Sequence, residues 1–367
     1  MTAVTAPFPI AAANENCCRA QFFVLSVRAY AVDFRQFLIR ALRERGHRVW
    51  HVHIGRATKV TGADGQHVTF VGVSGIPGLI HFLRARARGP ALPVFLDSTG
   101  PYVPGRSLAL RASLGPGLWC YDIFDNMMYD YRGFLRLRTW AAIRLLSALS
   151  PVQLVLSGET LRLFPRAIHL DNAAHIGRIE RQDANTRDLV LLSSIDARFD
   201  IAFVRRVAEL APERKVVLYG RVGIPDRLER LCGDRPNIVY RGAFRYDDIA
   251  TILRPYAVAL APYAQNPLTE FINPDKYYYF LNSGMEVIST DIPQARRMGE
   301  RIHIAGSPED VVATADRLER DSASRRNLAG PVLGWDQRAD ELLDVIARSR
   351  ARQAQAGRRL QPGRPAP

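Results

Sequence analysis

Short apolar runs alternate with amphipathic segments through most of this chain, and that alternation predicts a succession of strands and helices. Gln21–Val27 is an apolar run of strand length. Asp33–Arg45 puts Phe34, Phe37, Leu38, Ala41 and Leu42 on one helical face, Gly46 ends it, and Val49–Ile54 gives the next strand. A strand–helix–glycine–strand unit of this kind opens a doubly wound parallel sheet. Pro93–Leu96, Leu118–Phe124 and Val152–Leu156 continue the strands, and Phe134–Leu149 has helical period.

A second series begins after the polar run 178–187. Its expected strands are Leu189–Ser194, Lys215–Tyr219, Ile238–Tyr240, Val258–Ala261 and Val287–Thr290. Its expected helices are Ile201–Leu210, Pro225–Cys232, Tyr246–Leu253 and one that starts at Asn273. The pattern implies two α/β domains: 20–177 and 178–334. A disordered leader over 1–19, a closing helix over 335–350 and a disordered basic tail over 351–367 complete the expectation. No period of 20–50 residues recurs, which excludes a solenoid.

At 367 residues the chain suits two cores rather than one. The four cysteines (Cys17, Cys18, Cys120, Cys232) have no metal or redox spacing, which favours a reduced, cytoplasmic protein. The amino terminus lacks the basic and apolar regions of a signal peptide, and no apolar run is long enough to cross a bilayer. The net charge of +14 comes almost wholly from arginine. It suits an anionic surface, and Arg84, Arg86, Arg88, Arg132, Arg136, Arg138 and Arg144, interleaved with Phe82, Phe134, Leu137 and Trp140, suggest the inner face of a membrane. No nucleic-acid motif accompanies the charge, so no nucleic acid is expected.

The segment Asn273–Asp291 (NPDKYYYFLNSGMEVISTD) carries the most chemistry. An Asn-Pro turn leads into an aromatic helix that Gly284 stops, and a β-branched strand follows. The helix amino end suits an anion such as phosphate. Lys276, one of only three lysines, sits in its first turn, where the dipole disfavours a cation unless something negative is nearby. Arg198 follows the first strand of the second series, at the strand end where ligands bind in such sheets, or pairs with Asp196 or Asp200. Gly220 and Gly242 end strands and either admit a nucleotide backbone or simply turn the chain. Asn273 suits a helix cap, and Glu270 a sugar or ribose hydroxyl.

These residues resemble the GT-B glycosyltransferases, and within them the retaining, family-4-like branch related to teichuronic-acid-type bacterial polysaccharide transferases. Residues 191–220 resemble the start of that family's donor domain, 237–263 its middle, and 273–293 its N-P-x-K-x-Y-E-Y-L-A-x-G pattern. Residues 334–346 resemble its closing helix, while 35–52 and 121–130 match the first domain more weakly. The chain departs from the pattern at Tyr279, where the branch carries a glutamate for the ribose hydroxyls.

The resemblance implies an α/β fold of two Rossmann-like domains facing a cleft. It implies transfer of a sugar from a nucleotide-diphosphate sugar to a glycan or polyprenyl-linked acceptor. The donor would meet Arg198, Gly220, Gly242, Glu270, Asn273, Lys276 and Tyr279. Asp97, Asp122 and Asp125 are acceptor-side candidates in the first domain. No metal, cofactor or protein nucleophile is expected. Two alternatives stay open: a GT-B nucleotide-sugar epimerase, and a catalytically degenerate binding or scaffold protein.

Overall fold

The computed structural model describes residues 20–28, 30, 33–55, 67–71, 75–87, 92–99, 104–123, 131–180, 185–320 and 334–359. The expected leader over 1–19 lies outside them, as does Asp125. The first sheet contains β1 (Gln21–Ser26), β2 (Arg48–Gly55), β3 (His67–Val71), β4 (Val94–Asp97), β5 (Leu118–Ile123), β6 (Val152–Val155) and β7 (Ile168–His169). Their spatial order is β3-β2-β1-β4-β5-β6-β7, and every pair is parallel. The helices between them are α1 (Arg35–Glu44), α2 (Gly75–Arg86), α3 (Pro104–Leu114), α4 (Gly133–Ala148) and the short α5 (Thr160–Leu163).

Both faces of this sheet are covered, which is why its strands read as continuous apolar runs. Phe22 and Val24 of β1 pack with α1 residues Phe37, Leu38 and Leu42. Phe23 and Leu25 point the other way, toward Leu79, Leu83 and Leu110 of α2 and α3. On that face aromatic rings stack in series: Trp50 on Phe23, Phe23 on Phe95 and Phe95 on Trp119, with centroids 4.9, 5.3 and 4.4 Å apart. The sequence reading did not predict α2 or α3. Each starts at a glycine and proline-bearing stretch that looks like a turn until the helix packs on the sheet.

The second sheet has the order β10-β9-β8-β11-β12-β13, again all parallel. Its strands are β8 (Asn185–Leu192), β9 (Val216–Tyr219), β10 (Ile238–Tyr240), β11 (Tyr256–Ala261), β12 (Glu286–Thr290) and β13 (His303–Ala305). Its helices are α6 (Ile201–Leu210), α7 (Pro225–Cys232), α8 (Ile249–Leu253), α9 (Asp275–Asn282), α10 (Pro293–Arg297) and α11 (Pro308–Arg320). The helix expected over Tyr246–Leu253 begins as a single 3-10 turn, Tyr246–Asp248. Leu189 and Leu191 face α6 and α11, while Val190 and Leu192 face α8 and α9.

Two glycines shape this sheet. Gly284 takes φ 81° just beyond α9, where its N–H meets the Leu281 carbonyl at 3.0 Å and closes the helix. A Cβ on Gly220 would lie 1.7 Å from the Ser193 carbonyl oxygen, so β8 and the turn after β9 meet too closely for any side chain. Gly220→Ala is expected to lower stability by about 2–3 kcal/mol, read as a fall in the urea midpoint at constant slope.

The last helix, α12, runs from Trp335 to Arg359. It returns to the first domain, where Trp335, Ala339, Leu342, Val345 and Ile346 join the α1 core. Arg45 holds it through Asp340 at 2.6 Å and Asp336 at 3.2 Å. The tail expected to be disordered from 351 is helical to 359, because its alanine, arginine and glutamine are all strong helix formers.

Candidate functional site in the cleft between the sheets

Both sheets have the 3-2-1-4 order about their first strand, so each has a crevice beyond the carboxyl ends of its strands where the order reverses. The two crevices face each other. A cavity of about 370 Å³ is lined from the first domain by Arg28, Phe34, Leu156 and Asn172. From the second domain it is lined by Ser193, Ser194, Asp196, Arg198, Arg221, Tyr246, Tyr263 and the stretch 272–276. A smaller cavity of about 280 Å³ adjoins it, sharing Ser194, Arg221, Tyr246 and Lys276 and adding Gly220, Phe244 and Arg245.

The charge of this cleft is unbalanced. Arg28, Arg198, Arg221 and Lys276 face the larger cavity against two carboxylates, Asp196 and Asp275. Those carboxylates are held within the wall. Arg198 grips Asp196 at 2.6 and 3.2 Å, and Lys276 pairs with Asp275 at 2.5 Å. Burial alone would raise the Asp196 carboxyl, but Arg198 outweighs it and keeps it below the usual range. Asp275 also supplies the negative group that a lysine at a helix amino end requires. The surplus of cations suits an anionic ligand, and the smaller cavity beside it adds the Phe244 and Tyr246 rings to Arg221, Arg245 and Lys276, which suits a planar group joined to that anion.

The sequence-predicted residues divide. Lys276, Arg198, Gly220 and Asn273 line the cleft. Asn273 does not cap α9. Pro274 occupies the cap position without a side-chain bond, and the Asn273 amide instead donates to the Leu156 carbonyl at 2.7 Å and to Asp171 at 2.9 Å. It therefore ties the second domain to the first, as does Asn172, which donates to the Asn273 carbonyl at 2.7 Å. Arg198 takes the ion pair with Asp196 while its guanidinium remains on the cavity wall.

Five other candidates stand away from the cavity. Glu270 is exposed in the turn before Phe271 and does not line it. Gly242 accepts a hydrogen bond from the Gly220 N–H at 2.8 Å and acts as a turn. Tyr279 is fully buried one helical turn behind Asp275, against the rings of His175 and Tyr246 at 5.0 and 6.3 Å. Its phenol donates to Asp275 at 3.4 Å rather than reaching the cleft, because it lies on the same helical face one turn deeper and Asp275 stands between it and the cavity. Asp97 is consumed by Thr99, Ser107 and Arg111, and it anchors α3 to the end of β4.

Asp122 is likewise turned inward, where it pairs with Arg35. That pair belongs to a buried network behind the Arg28–Phe34 wall. Asp33 accepts from Ser26 at 2.6 Å and from the Arg35 N–H at 3.0 Å, and it lies 3.3 Å from His51 Nε2. Burial pushes both carboxyls up. For Asp122 burial prevails over Arg35, whereas for Asp33 His51, Arg35 and Ser26 together prevail and hold it well below the usual range.

The sign of the resulting pH dependence follows. Asp33 binds its proton less readily folded than unfolded, so its contribution is present above the ordinary carboxylate range and is lost as pH falls below it. Asp33→Asn is therefore expected to show a flatter decline of urea midpoint between about pH 5 and pH 2 than the parent chain.

Arg28, Ser193, Ser194, Arg221, Tyr246 and Asp275 were missed. Arg28, Ser193 and Arg221 sit one or two residues beyond β1, β8 and β9, so the strand-end rule that selected Arg198 would have found them. Tyr246 had no such signal. It reaches the cleft because His175 donates to its carbonyl at 2.9 Å and Phe37 of the first domain packs edge-on at 5.4 Å. Among the described residues no group of three or more His, Cys, Asp or Glu is placed to hold a metal ion.

No protein-family model matches the sequence, and no curated protein matches it. Solved structures do match in fold. An alpha-glucosyltransferase in complex with UDP and a mismatched 13-mer DNA superposes with a TM-score of 0.64 at 10% identity, covering 89% of this chain and 99% of that one. AviGT4, a glycosyltransferase involved in avilamycin A biosynthesis, gives 0.58 at 13% identity, covering 89% and 96%. An alpha,alpha-trehalose 6-phosphate synthase from Burkholderia multivorans gives 0.56 at 12% identity, covering 92% and 99%. The fold is GT-B: two parallel α/β sheets facing a cleft.

Proposed function

We propose that this protein is a glycosyltransferase that moves a sugar from a nucleotide-diphosphate sugar to a glycan or polyprenyl-linked acceptor, in bacterial cell-surface polysaccharide synthesis. The supporting observation is the cluster of Arg28, Arg198, Arg221 and Lys276 at the strand ends where the two sheets face each other. Negative charge grows on the diphosphate as the sugar leaves, and fixed cations in a cleft shielded from water stabilise it most at that point. The smaller cavity, with Phe244 and Tyr246, suits the nucleoside. Uridine nucleotides are the first to try, because a protein of this fold is known with UDP bound.

Transfer with retention of configuration, by attack on the face the leaving group vacates, requires no protein nucleophile, and none is assigned. No metal is invoked, since the cations and the α9 amino end can act on the diphosphate. A putative UDP-N-acetylglucosamine 2-epimerase shares the fold, but the epimerase alternative is the weaker reading, because among the described residues no histidine lines either cavity and both lining carboxylates are ion-paired. A location at the inner face of a membrane fits this acceptor class; no helix among the described residues is long and apolar enough to cross one.

Saturation binding and slow hydrolysis across a panel of nucleotide sugars tests the proposal. Binding of one with release of its nucleoside diphosphate is expected. Binding of none would leave a scaffold protein, and interconversion without an acceptor would indicate an epimerase.

A further inference from the structure

Helix α4 carries an unusual outer face. Its buried side is narrow: Thr139, Ile143, Leu146 and Ser147. Around the rest of the helix lie Phe134, Leu135, Leu137, Trp140, Leu145 and the cap residue Leu149, all exposed, with Phe134 at 76% and Leu137 at 62%; Phe134, Leu137, Leu145 and Leu149 form its outer face, and Leu135 and Trp140 flank the buried side. These six are the majority of the ten large hydrophobics exposed among the described residues. Single exposed apolar residues are ordinary, but a contiguous set on one helix marks an interaction surface.

The charges on this helix are of one sign. Arg132, Arg136, Arg138 and Arg144 fall within it or at its start, and no aspartate or glutamate occurs between Tyr131 and Gly158. Arg144 is committed to the protein, donating to the Leu163 carbonyl at 2.8 Å and lying over the Trp140 and Phe164 rings. Arg138 projects between Phe134 and Leu145 on the outer face, by the helical period. The basic stretch of α2 differs: Arg84 bonds the Ser113 carbonyl of α3, and Arg86 covers Phe82.

The topology also places this face. α4 links β5 to the neighbouring parallel strand β6, so it runs antiparallel to both. Its amino end, where Phe134, Leu135 and Leu137 stand out, therefore lies at the carboxyl edge of the sheet, the edge on which Arg28 and Leu156 line the cleft.

We propose that the outer face of α4 docks the protein on an anionic lipid surface. The apolar side chains enter the boundary between headgroups and acyl chains, and the arginines meet lipid phosphates. A second copy of the chain fits less well, because a two-fold contact would set these arginines against one another on molecules of net charge +14. Docked in this way, the first domain holds the rim of its cleft at the membrane surface. An acceptor anchored by a lipid would then reach the cleft without leaving the bilayer.

Co-sedimentation of the full chain with vesicles, without nucleotide, tests this docking separately from the proposed activity. Binding to phosphatidylglycerol–phosphatidylcholine vesicles is expected, with little binding to phosphatidylcholine alone and release as salt rises. Arg138→Gln should weaken binding about fivefold. Phe134→Ser with Leu137→Ser should weaken it at least about tenfold, with thermal melting unchanged. Trp140 emission should shift to the blue on vesicles, and the shift should vanish in Trp140→Phe. No binding by the parent chain, or binding as tight as the parent's by both variants, would overturn the proposal. So would a dimer in solution that Phe134→Ser disperses while vesicle binding persists.

Discussion

Arg35→Met is expected to lower stability by about 3–5 kcal/mol at neutral pH, the cost of leaving a buried charge without its partner. Arg35 is 3% exposed, Asp122 4% and Asp33 0%. The guanidinium holds Asp122 directly and lies 3.8 Å from Asp33. Methionine fills much the same volume but neutralises nothing, so the loss is electrostatic rather than a cavity. The Asp122 carboxyl, already raised by burial, can then relieve itself by taking a proton. The loss should therefore be smaller near pH 5 than near pH 8. Arg35→Met combined with Asp122→Leu should recover much of it, since replacing both partners leaves no orphaned charge. Urea titrations at the two pH values, on the single and double variants, measure this. A single variant as stable as the parent would mean that the pair contributes nothing to folding. Because the network lies behind Arg28 and Phe34, nucleotide affinity should fall along with stability.

Lys276→Ala is expected to reduce kcat by about 10²–10³-fold on whichever nucleotide sugar proves to be the donor, with a smaller rise in KM. The magnitude is that of removing one preorganised group from a developing anion. Lys276 stands at the first turn of α9 and lines both cavities, so it lies where a diphosphate would bridge the nucleoside and the sugar. Its removal also leaves Asp275 as a bare carboxylate in the cleft, which repels the same anion. Lys276→Arg should restore part of the rate, and Lys276→Ala with Asp275→Asn should exceed Lys276→Ala alone. Since Lys276 is a quarter exposed and contributes little to the core, the melting temperature should hardly change. An unchanged kcat and affinity would remove Lys276 from the phosphate site.

Much of the fold was legible along the chain because strands buried on both faces must be apolar throughout. Gln21–Val27, Ile201–Leu210, Pro225–Cys232 and Ile238–Tyr240 were placed to within a residue. α2 and α3 were not, since their turn-like starts outweigh a short apolar face that only the sheet beneath makes helical. Within the site, Lys276 and Arg198 were readable from position relative to a helix start and a strand end. The fate of Tyr279, Asp97 and Asp122 was not. A polar residue after a strand looks the same in sequence whether it turns to the cleft or to the core.

The sequence by itself determined that two parallel α/β sheets form, and that the helix at Asn273 offers a positive amino end with a lysine upon it. Apolar period and turn chemistry are local and suffice for that. Only the tertiary structure decided which polar groups share the cleft. It turned Asn273 into a bridge to Leu156 and brought Arg28 from the first domain to face Lys276. It buried Tyr279 behind Asp275, so the carboxylate at the cavity wall comes from the start of α9 rather than from its second turn. These outcomes depend on how the two sheets meet, and no pattern within either one encodes that contact.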